Sequence, residues 1–310
     1  MPQEQYLPEG MLLKTEKNKA ALVSAATLQK ARLGGETLEA PAVLCDAAHN
    51  LLVDLGCMTG VIPRGEAAGG TGGIREIAVL SRVGRPVCFQ ILDFFTEGGE
   101  KKALLSRRAA QEEALSHFMA HLFPGCVLRA KVTHLEPFGA FVDIGRGIVS
   151  LIGIENISVS RITHPAERFS PGQELWAVVT GVDREQRRIF LSHKELLGTW
   201  EQNAADFKPG ETVPGIIRDM PEYGAFVELR PNLSGLAEHR RGFKTGDHVS
   251  VFIKSILPDR MKIKLILIDR LEEKNRTAPL RYYLPEEEPM SLWTYTPEGC
   301  RTKRIETRFL

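Results

Sequence analysis

The chain has 310 residues, 43% of them hydrophobic and 25% charged, which is typical of a globular protein with two or three small domains. Forty Lys and Arg residues face 39 Asp and Glu residues, so the net charge of +1 excludes a basic surface over the whole chain. No apolar run approaches the roughly 18 residues that span a bilayer, which predicts a cytoplasmic protein with no membrane partner.

The first predicted element is an N-terminal helical arm, residues 1–36. Residues 11–33 have the apolar spacing of one amphipathic helix, and Gly34 is placed to end it. A strand-rich unit, residues 37–107, follows the arm and contains the glycine-rich stretch 65–76. That stretch lacks the Lys-Ser/Thr of a phosphate-binding loop, so it predicts a flexible connection.

A linker helix is predicted next, over residues 108–125. His117 and His121 lie four residues apart on it, a spacing that can hold a metal ion. No further ligand lies nearby except Cys126, so the pattern favours a solvated helix face over a metal site. The five cysteines form no C-x-x-C pair, and we interpret them as buried apolar side chains. No metal and no cofactor is predicted.

The next part of the chain is a repeat. "PFGAFVDIG" at 137–145 returns as "EYGAFVEL" at 222–229, shifted by 85 residues, and the Pro-Gly stop that ends at Gly125 returns at Gly210. Further on the shift is 74 residues, so the later copy lacks about 11 residues of its middle connection. The copies and their flanks are residues 126–197, a linker 198–210, a shortened unit 211–270 and a tail 271–310.

Each copy has the pattern of a small barrel. Alternating strand pairs are broken by Gly or Asp turns, and a Val/Ile-rich strand and a last short strand follow. Residues 37–107 carry a fainter version of the same pattern, which makes three copies. About five strands in 70 residues is typical of a barrel rather than of a sandwich or a parallel sheet.

The repeated stretch predicts aromatic rings on the barrel surface. Because side chains alternate along a strand, the aliphatic residues of 139–145 form the core face and Phe141 points outward beside Asp143. Phe138 would fall on the core face of a regular strand, and a bulge at Gly139 would turn it outward. The alternative is that both rings are core residues.

The last strand of each copy adds cations to this face. In "RRIFLS" the outward residues are Arg188 and Phe190, and in "MKIKLIL" they are Lys262 and Lys264. Rings and cations together suit single-stranded nucleic acid, because bases stack on the rings while phosphates meet the cations. The local charge agrees, since residues 208–270 hold eleven Lys and Arg against eight Asp and Glu.

These residues resemble a known family. "GAFVDIG", the strand ending "IFLS" after "GVD", and the helix-plus-Pro-Gly linkers look like the S1 RNA-binding domain, an OB-fold barrel found in tandem in ribosomal protein S1. The resemblance covers residues 126–197, 211–268 and, as a degenerate copy, 37–107. The short build resembles the S1-like proteins of some Gram-positive bacteria. The resemblance to this family implies an all-β fold with helical linkers, made of three tandem five-stranded OB-fold barrels.

The resemblance also implies RNA-facing positions, which map to Phe138, Phe141, Asp183 and Arg188 in the second copy and to Tyr223, Phe226 and Lys262 in the third. The chain departs from the family at several places. The His that these domains often carry on the third strand is replaced by Gly153 and Glu238, and Leu257 matches Asp183. The first copy has His49 and Leu52 where rings would stand, so docking on protein is an alternative role for it.

The function predicted is the binding of single-stranded RNA with weak sequence preference, in translation or mRNA handling. The partners expected are mRNA and either the small ribosomal subunit or the RNA-decay machinery. The alternative is a scaffold that docks on that machinery with little RNA contact. An enzyme is not expected, because only about 75 residues lie outside the barrels and linkers, too few for a catalytic domain. The aromatic residues of 271–310 predict that the tail packs on the third barrel or on a partner.

Overall fold

A computed structural model of the protein describes residues 6–69, 76–271, 280–286 and 289–309. It contains three closed five-stranded barrels in succession, so the predicted all-β fold with tandem OB-type barrels is confirmed. In chain order the helices and strands are α1 (Glu16–Ala21), α2 (Ala25–Leu33), β1 (Leu38–Cys45), β2 (Leu51–Asp54), β3 (Thr59–Ile62), α3 (Glu76–Leu80), β4 (Pro86–Glu97), β5 (Glu100–Ser106), α4 (Arg107–His121), β6 (Val127–Glu136), β7 (Gly139–Asp143), β8 (Val149–Gly153), β9 (Glu174–Asp183), β10 (Arg188–Ser192), α5 (Trp200–Ala204), β11 (Thr212–Asp219), β12 (Ala225–Arg230), β13 (Leu233–Ala237), β14 (His248–Leu257), β15 (Lys262–Arg270), β16 (Leu292–Thr294) and β17 (Glu306–Arg308).

The three barrels have one topology. Their strands close in the orders β1-β2-β3-β5-β4, β6-β7-β8-β10-β9 and β11-β12-β13-β15-β14. In each barrel the third and fifth strands pair in parallel. Of the glycine-rich stretch 65–76, residues 70–75 lie outside the described residues, and a short 3-10 helix, Arg64–Glu66, precedes them.

The chain forms two compact units. The N-terminal unit consists of Met1–Leu122, Arg129–Lys131 and Asp143–Val149, and the C-terminal unit of Phe123–Leu128, Val132–Val142 and Ser150–Leu310.

In the N-terminal unit the single helix predicted over 11–33 is wrong, because two helices are present. The Thr15 side chain accepts a hydrogen bond from the Asn18 N–H and begins α1, while Ser24 begins α2 with a capping box. Each cap satisfies backbone N–H groups that a continuous helix would bond internally, so the chain breaks between them. Leu28 of α2 is buried in the core of the first barrel.

Asp143, expected to face outward beside Phe141, is instead buried at 3% exposure. Its Oδ2 accepts the backbone N–H of Glu9 at 2.7 Å, and its Oδ1 accepts those of Gly145 and Gly147 at 2.8 and 3.0 Å. The N-terminal arm therefore covers the end of β7. Burial and the nearby Glu9 carboxylate raise the pKa of Asp143 to about 7.

In the C-terminal unit the repeat found in the sequence is also a repeat of hydrogen bonds. The Gly125 N–H donates to the Val179 carbonyl at 2.8 Å, and 85 residues on, the Gly210 N–H donates to the Ile253 carbonyl at 2.8 Å. The two acceptors lie 74 residues apart, which is the shorter of the two repeat shifts found in the sequence. The residues missing from the third barrel come from its middle connection, which runs over 238–247 where the second barrel has 154–173.

A polar junction joins the second and third barrels. The Asn232 side chain, 1% exposed, accepts the Val159 N–H at 2.9 Å and donates to the carbonyls of Lys194 and Gly198 at 2.8 and 3.2 Å. A partly buried ion-pair network contains Glu167, Arg168, Arg218 and Glu228. We call Asn232 and this network the junction.

The C-terminal tail packs on the third barrel, one of the two arrangements expected. β16 and β17 form a two-stranded sheet, and Trp293, Tyr295 and Phe309 are buried in the same core as β11–β15. The Tyr295 hydroxyl donates to the Asn232 carbonyl. The tail thus stabilises the side of the third barrel that carries the junction.

His193 is a buried, hydrogen-bonded histidine of the C-terminal unit. It is fully buried, its Nδ1 lies 2.8 Å from the Ile157 carbonyl and its Nε2 3.2 Å from the Tyr282 hydroxyl. A carbonyl only accepts, so Nδ1 carries the proton and Nε2 accepts from Tyr282. Burial, and to a lesser extent Arg168, lowers the pKa of His193 to about 4, from 6.5.

We therefore expect the contribution of His193 to the free energy of unfolding to fall as the pH drops from 6.5 towards 4. The folded pKa lies below the unfolded one, so the stability is complete above 6.5 and about 3 kcal/mol of it is lost on acidification. His193→Asn, whose amide can still donate to Ile157, should lose less over the same range. Urea titrations of both proteins across this pH range measure the difference, and parallel curves would contradict the assignment.

Candidate nucleic-acid interface

Two aromatic residues stand in equivalent turns of the second and third barrels. Phe138 lies immediately ahead of β7 and is 56% exposed, and Tyr223 lies two residues ahead of the start of β12 and is 70% exposed. Phe138 faces outward because it belongs to the turn and not to the strand, so no bulge at Gly139 is needed. After each ring comes a glycine, and a Cβ on Gly139 or Gly224 would lie 2.5 Å from a carbonyl oxygen of the next strand. Only glycine permits this close approach.

Each turn residue pairs with a ring on the following strand. The Phe138 and Phe141 rings lie 6.0 Å apart at 85°, and the Tyr223 and Phe226 rings lie 6.0 Å apart at 89°. These are edge-to-face contacts, which hold the two rings of a pair in a fixed relation. Phe141 and Phe226 are half-buried, while the neighbouring residues of their strands point into the core. We call each pair a ring pair.

The ring pairs continue across the sheet as a row of outward side chains. In the third barrel the register places Asp219, Phe226, Leu236, Lys264 and Ser255 side by side on the five strands. We call such a row the outer row. In the second barrel Leu151, Phe190 and Gly181 occupy the last three places. Phe190, 51% exposed, therefore has the position that Lys264 has in the third barrel.

Three predicted cations lie in or next to the outer rows. Arg188, Lys262 and Lys264 are exposed, and none of them forms an ion pair with another residue that the structure describes. Arg188 stands opposite Asp183 on β9, and Lys262 stands opposite Leu257 on β14. The Asp183 carboxylate accepts the Gln186 N–H at 2.9 Å, so it closes the turn that leads into Arg188.

The nine predicted site residues therefore divide between two barrels. Phe138, Phe141, Asp183, Arg188 and Phe190 gather on the second, and Tyr223, Phe226, Lys262 and Lys264 on the third. Their contact with RNA stays a prediction.

Sequence reasoning missed His134, which stacks on Phe141. The ring centroids are 4.2 Å apart and the planes differ by 10°. Thr133 donates to the Phe141 carbonyl at 3.0 Å and so supports the same strand pair. The repeat offset holds the signal, because 85 residues after His134 is Asp219, the cross-strand neighbour of Phe226. His134 covers one face of Phe141 and leaves its own ring as an exposed stacking surface.

The outer row of the first barrel is mainly aliphatic, unlike those of the other two barrels. Its members are Leu44, Leu52, Val61, Leu104 and Asp93, with no ring and no cation. His49, at the place of the turn ring, lies 3.4 Å from Glu76. This barrel offers an aliphatic surface where the other two offer rings.

Neither a metal-ligand cluster nor a membrane-spanning helix occurs in the part of the chain that the structure describes. No group of three His, Cys, Asp or Glu side chains placed to hold a metal ion occurs among the described residues. Within the same residues, no helix is both long enough and apolar enough to cross a membrane.

Comparison with known proteins agrees with this geometry. The family model of the S1 RNA binding domain matches residues 121–194, which contain all five strands of the second barrel. The second barrel is thus similar to the S1 RNA binding domain, and the chain has two further barrels of the same topology. In particular, the chain is similar to small ribosomal subunit protein bS1 and its homologues, so the predicted S1-like resemblance is confirmed.

Three relatives define the extent of the similarity. The bS1 homolog of Bacillus subtilis is 34% identical over 58% of this chain and 47% of its own length. The bS1 of Leuconostoc lactis is 28% identical over 77% of this chain and 58% of its own length. The bS1 of Staphylococcus aureus strain N315 is 28% identical over 91% and 69%. The chain thus spans about half the length of the first two relatives.

Proposed function

We propose that the protein binds single-stranded RNA through the ring pairs and cations of its second and third barrels. The observation that carries this proposal is the same edge-to-face ring pair on two barrels, each beside cations that have no ion-pair partner among the described residues. A ring stacks on any base and a cation binds any phosphate, so the contacts carry little sequence preference.

The relatives suggest the setting. Proteins named as components of the small ribosomal subunit resemble this chain, so we place its RNA binding in translation or mRNA handling, in the cytoplasm. Its partners are then mRNA and the small ribosomal subunit or the RNA-decay machinery. It catalyses no reaction in this role and needs no cofactor.

A second candidate is a docking scaffold with little RNA contact. The aliphatic outer row of the first barrel favours it, because Leu44 is 53% exposed on that surface. The two candidate functions would use different barrels. The aliphatic surface of the first barrel suits a protein partner, and the aromatic surfaces of the second and third suit RNA.

Fluorescence anisotropy with a labelled, unstructured RNA tests the proposal. Saturable binding with the probe intact is expected, and the same RNA folded into a hairpin should bind more weakly, because pairing hides the base faces. A probe that stays free would favour the scaffold, and a shortened probe would reveal a nuclease.

Salt should weaken this binding in proportion to the number of phosphate contacts. With Arg188, Lys262 and Lys264 each neutralising one phosphate, log K should fall with log salt at a slope of about −2. Lys264→Ala should reduce that slope by about 0.7 and lower affinity similarly for all RNA sequences. Lys30→Ala, an exposed cation of α2, is the matched control and should change neither. Affinity that is equal at low and physiological salt would remove the electrostatic part of the proposal.

A further inference from the structure

A cavity lies within the C-terminal unit where the second and third barrels meet. Its volume is about 760 Å³, in the range of small-molecule sites. Residues of the loop 166–173, the α5 region, the outer edges of β11 and β12, and Leu280 with Arg281 form its walls. We call it the junction cavity. None of the nine predicted RNA-contact residues lines it, so the RNA-binding proposal leaves it without a role.

One side of the junction cavity has more positive than negative charge. Arg230 and Arg281 both line it and both pair with Asp206, at 2.6 and 2.9 Å. Two guanidinium groups thus share one carboxylate. The other arginine of the lining, Arg168, belongs to the junction network, where two arginines face two glutamates. The excess of one positive charge therefore lies at Arg230 and Arg281.

Hydrogen-bond donors are also in excess there. A guanidinium has five N–H groups, so Arg230 and Arg281 together offer more donors than Asp206 can accept. The buried Nε of Arg230 has no acceptor among the described residues. The Arg281 side chain is 55% exposed, and within the described residues its guanidinium donates to Asp206 through Nη1. Arginine pairs of this kind bind phosphate oxygens through short, charge-assisted hydrogen bonds.

Part of the lining of the junction cavity, next to Arg230, is apolar. Phe207, Pro214, Leu229 and Pro231 line it, and the Phe207 ring lies 5.6 Å from the Arg230 guanidinium. A flat ring system placed here would contact apolar side chains while a group attached to it reached the arginines. The cavity therefore combines a site for an anion with a site for a planar ring.

We propose that the junction cavity binds a nucleotide, with the phosphate on Arg230 and Arg281 and the base against Phe207 and the neighbouring prolines. The nucleotide comes either from solution as a mononucleotide or from an RNA strand. In both cases the recognised chemistry is a phosphate joined to a heteroaromatic ring. The site lies apart from the ring pairs and goes beyond the proposed RNA binding.

Calorimetric titration of the whole protein with each nucleoside monophosphate, and with inorganic phosphate, tests the site. We expect saturable binding of at least one mononucleotide, together with a rise in Tm when it is added. Arg281→Ala should weaken that binding at least about 10-fold, the loss of one charge-assisted contact, without lowering the Tm of the free protein, because Arg281 is exposed. Phe207→Ala should weaken mononucleotide binding more than it weakens binding of inorganic phosphate, because the ring contacts the base and only supports Arg230. Arg161→Ala, an exposed arginine outside the cavity, is the control.

The absence of binding by every mononucleotide at millimolar concentration would overturn the proposal, as would binding that Arg281→Ala leaves unaffected. The RNA affinity of Arg281→Ala shows whether the bound nucleotide is free or part of an RNA strand. If the occupant is a nucleotide of RNA, Arg281→Ala also lowers RNA affinity; if it is free, RNA affinity is unchanged. The titration needs no RNA, so its result is independent of whether the ring pairs bind RNA.

Discussion

Replacing Phe141 and Phe226 together with alanine is expected to lower the affinity for a long unstructured RNA by at least about 30-fold. Stacking on one ring is worth roughly 1 to 3 kcal/mol per base, so each single change should cost about 5- to 150-fold. Because the barrels are joined, the second contact is intramolecular and the two losses combine on an RNA that spans both. Anisotropy titrations with one long RNA and one short oligonucleotide measure the effect.

Stability measurements separate stacking from packing. Phe141 and Phe226 lie on the outer side of their strands, so the variants should keep a Tm close to that of the parent. A core ring such as Phe169, at 2% exposure, should instead lose roughly 3 to 5 kcal/mol of stability when cut to alanine. Phe123→Ala, an exposed ring of the linker, controls for the loss of any aromatic side chain. Early melting with unchanged RNA affinity of the folded fraction would mean that both rings serve the fold.

On a short oligonucleotide one of the single changes should dominate, and we expect it to be Phe226→Ala. The third barrel carries Lys262 and Lys264 beside its ring pair, whereas the second has Phe190 at the place of Lys264. An equal loss from both single changes would show that the rings, and not the cations, decide which barrel binds first.

The fold was predictable from the sequence because the residues that repeat are ones that form local turns. Gly125 and Gly210 end their linkers with the same hydrogen bond, and Gly139 and Gly224 allow the same close approach of strands. Alternation then assigned Ala140, Val142 and their counterparts to the core without knowledge of the partner strand. The alternation of side chains within one strand is sufficient to predict which of its residues face the core.

What the sequence did not reveal depends on contacts between distant residues. The backbone of Glu9 covers Asp143 across 134 positions, and no alternation rule anticipates it. The stack of His134 on Phe141 needs the strand register, which the sequence leaves open. The expected single arm helix failed for another reason, since Thr15 and Ser24 compete locally as caps within an apolar pattern.

The sequence did not predict the junction either, because Asn232 follows a proline in a pattern typical of an ordinary turn. In the structure its amide bonds three backbone groups of the preceding barrel and loop, so the two ring pairs belong to one compact unit. A fixed arrangement raises the effective concentration of the second ring pair above what a flexible linker of the same length provides.

Asn232→Ala is therefore expected to act on stability and on RNA binding together. It leaves the Val159 N–H and the Lys194 and Gly198 carbonyls without their partner, which should cost roughly 3 kcal/mol or more of the free energy of unfolding. At a temperature where the variant stays folded, affinity for the long RNA should fall about 10-fold while the short oligonucleotide binds as before.

Asn156→Ala is the matched control, because within the described residues the amide of Asn156 forms hydrogen bonds with the side chains of Glu155 and Lys194 and with no backbone group. It should lower the Tm by less and change neither affinity. If Asn232→Ala lost stability but kept the parent affinity for the long RNA, the fixed arrangement of the barrels would contribute nothing to binding. If it weakened the short oligonucleotide equally, the damage would lie in a ring pair itself and the junction would have no separate role.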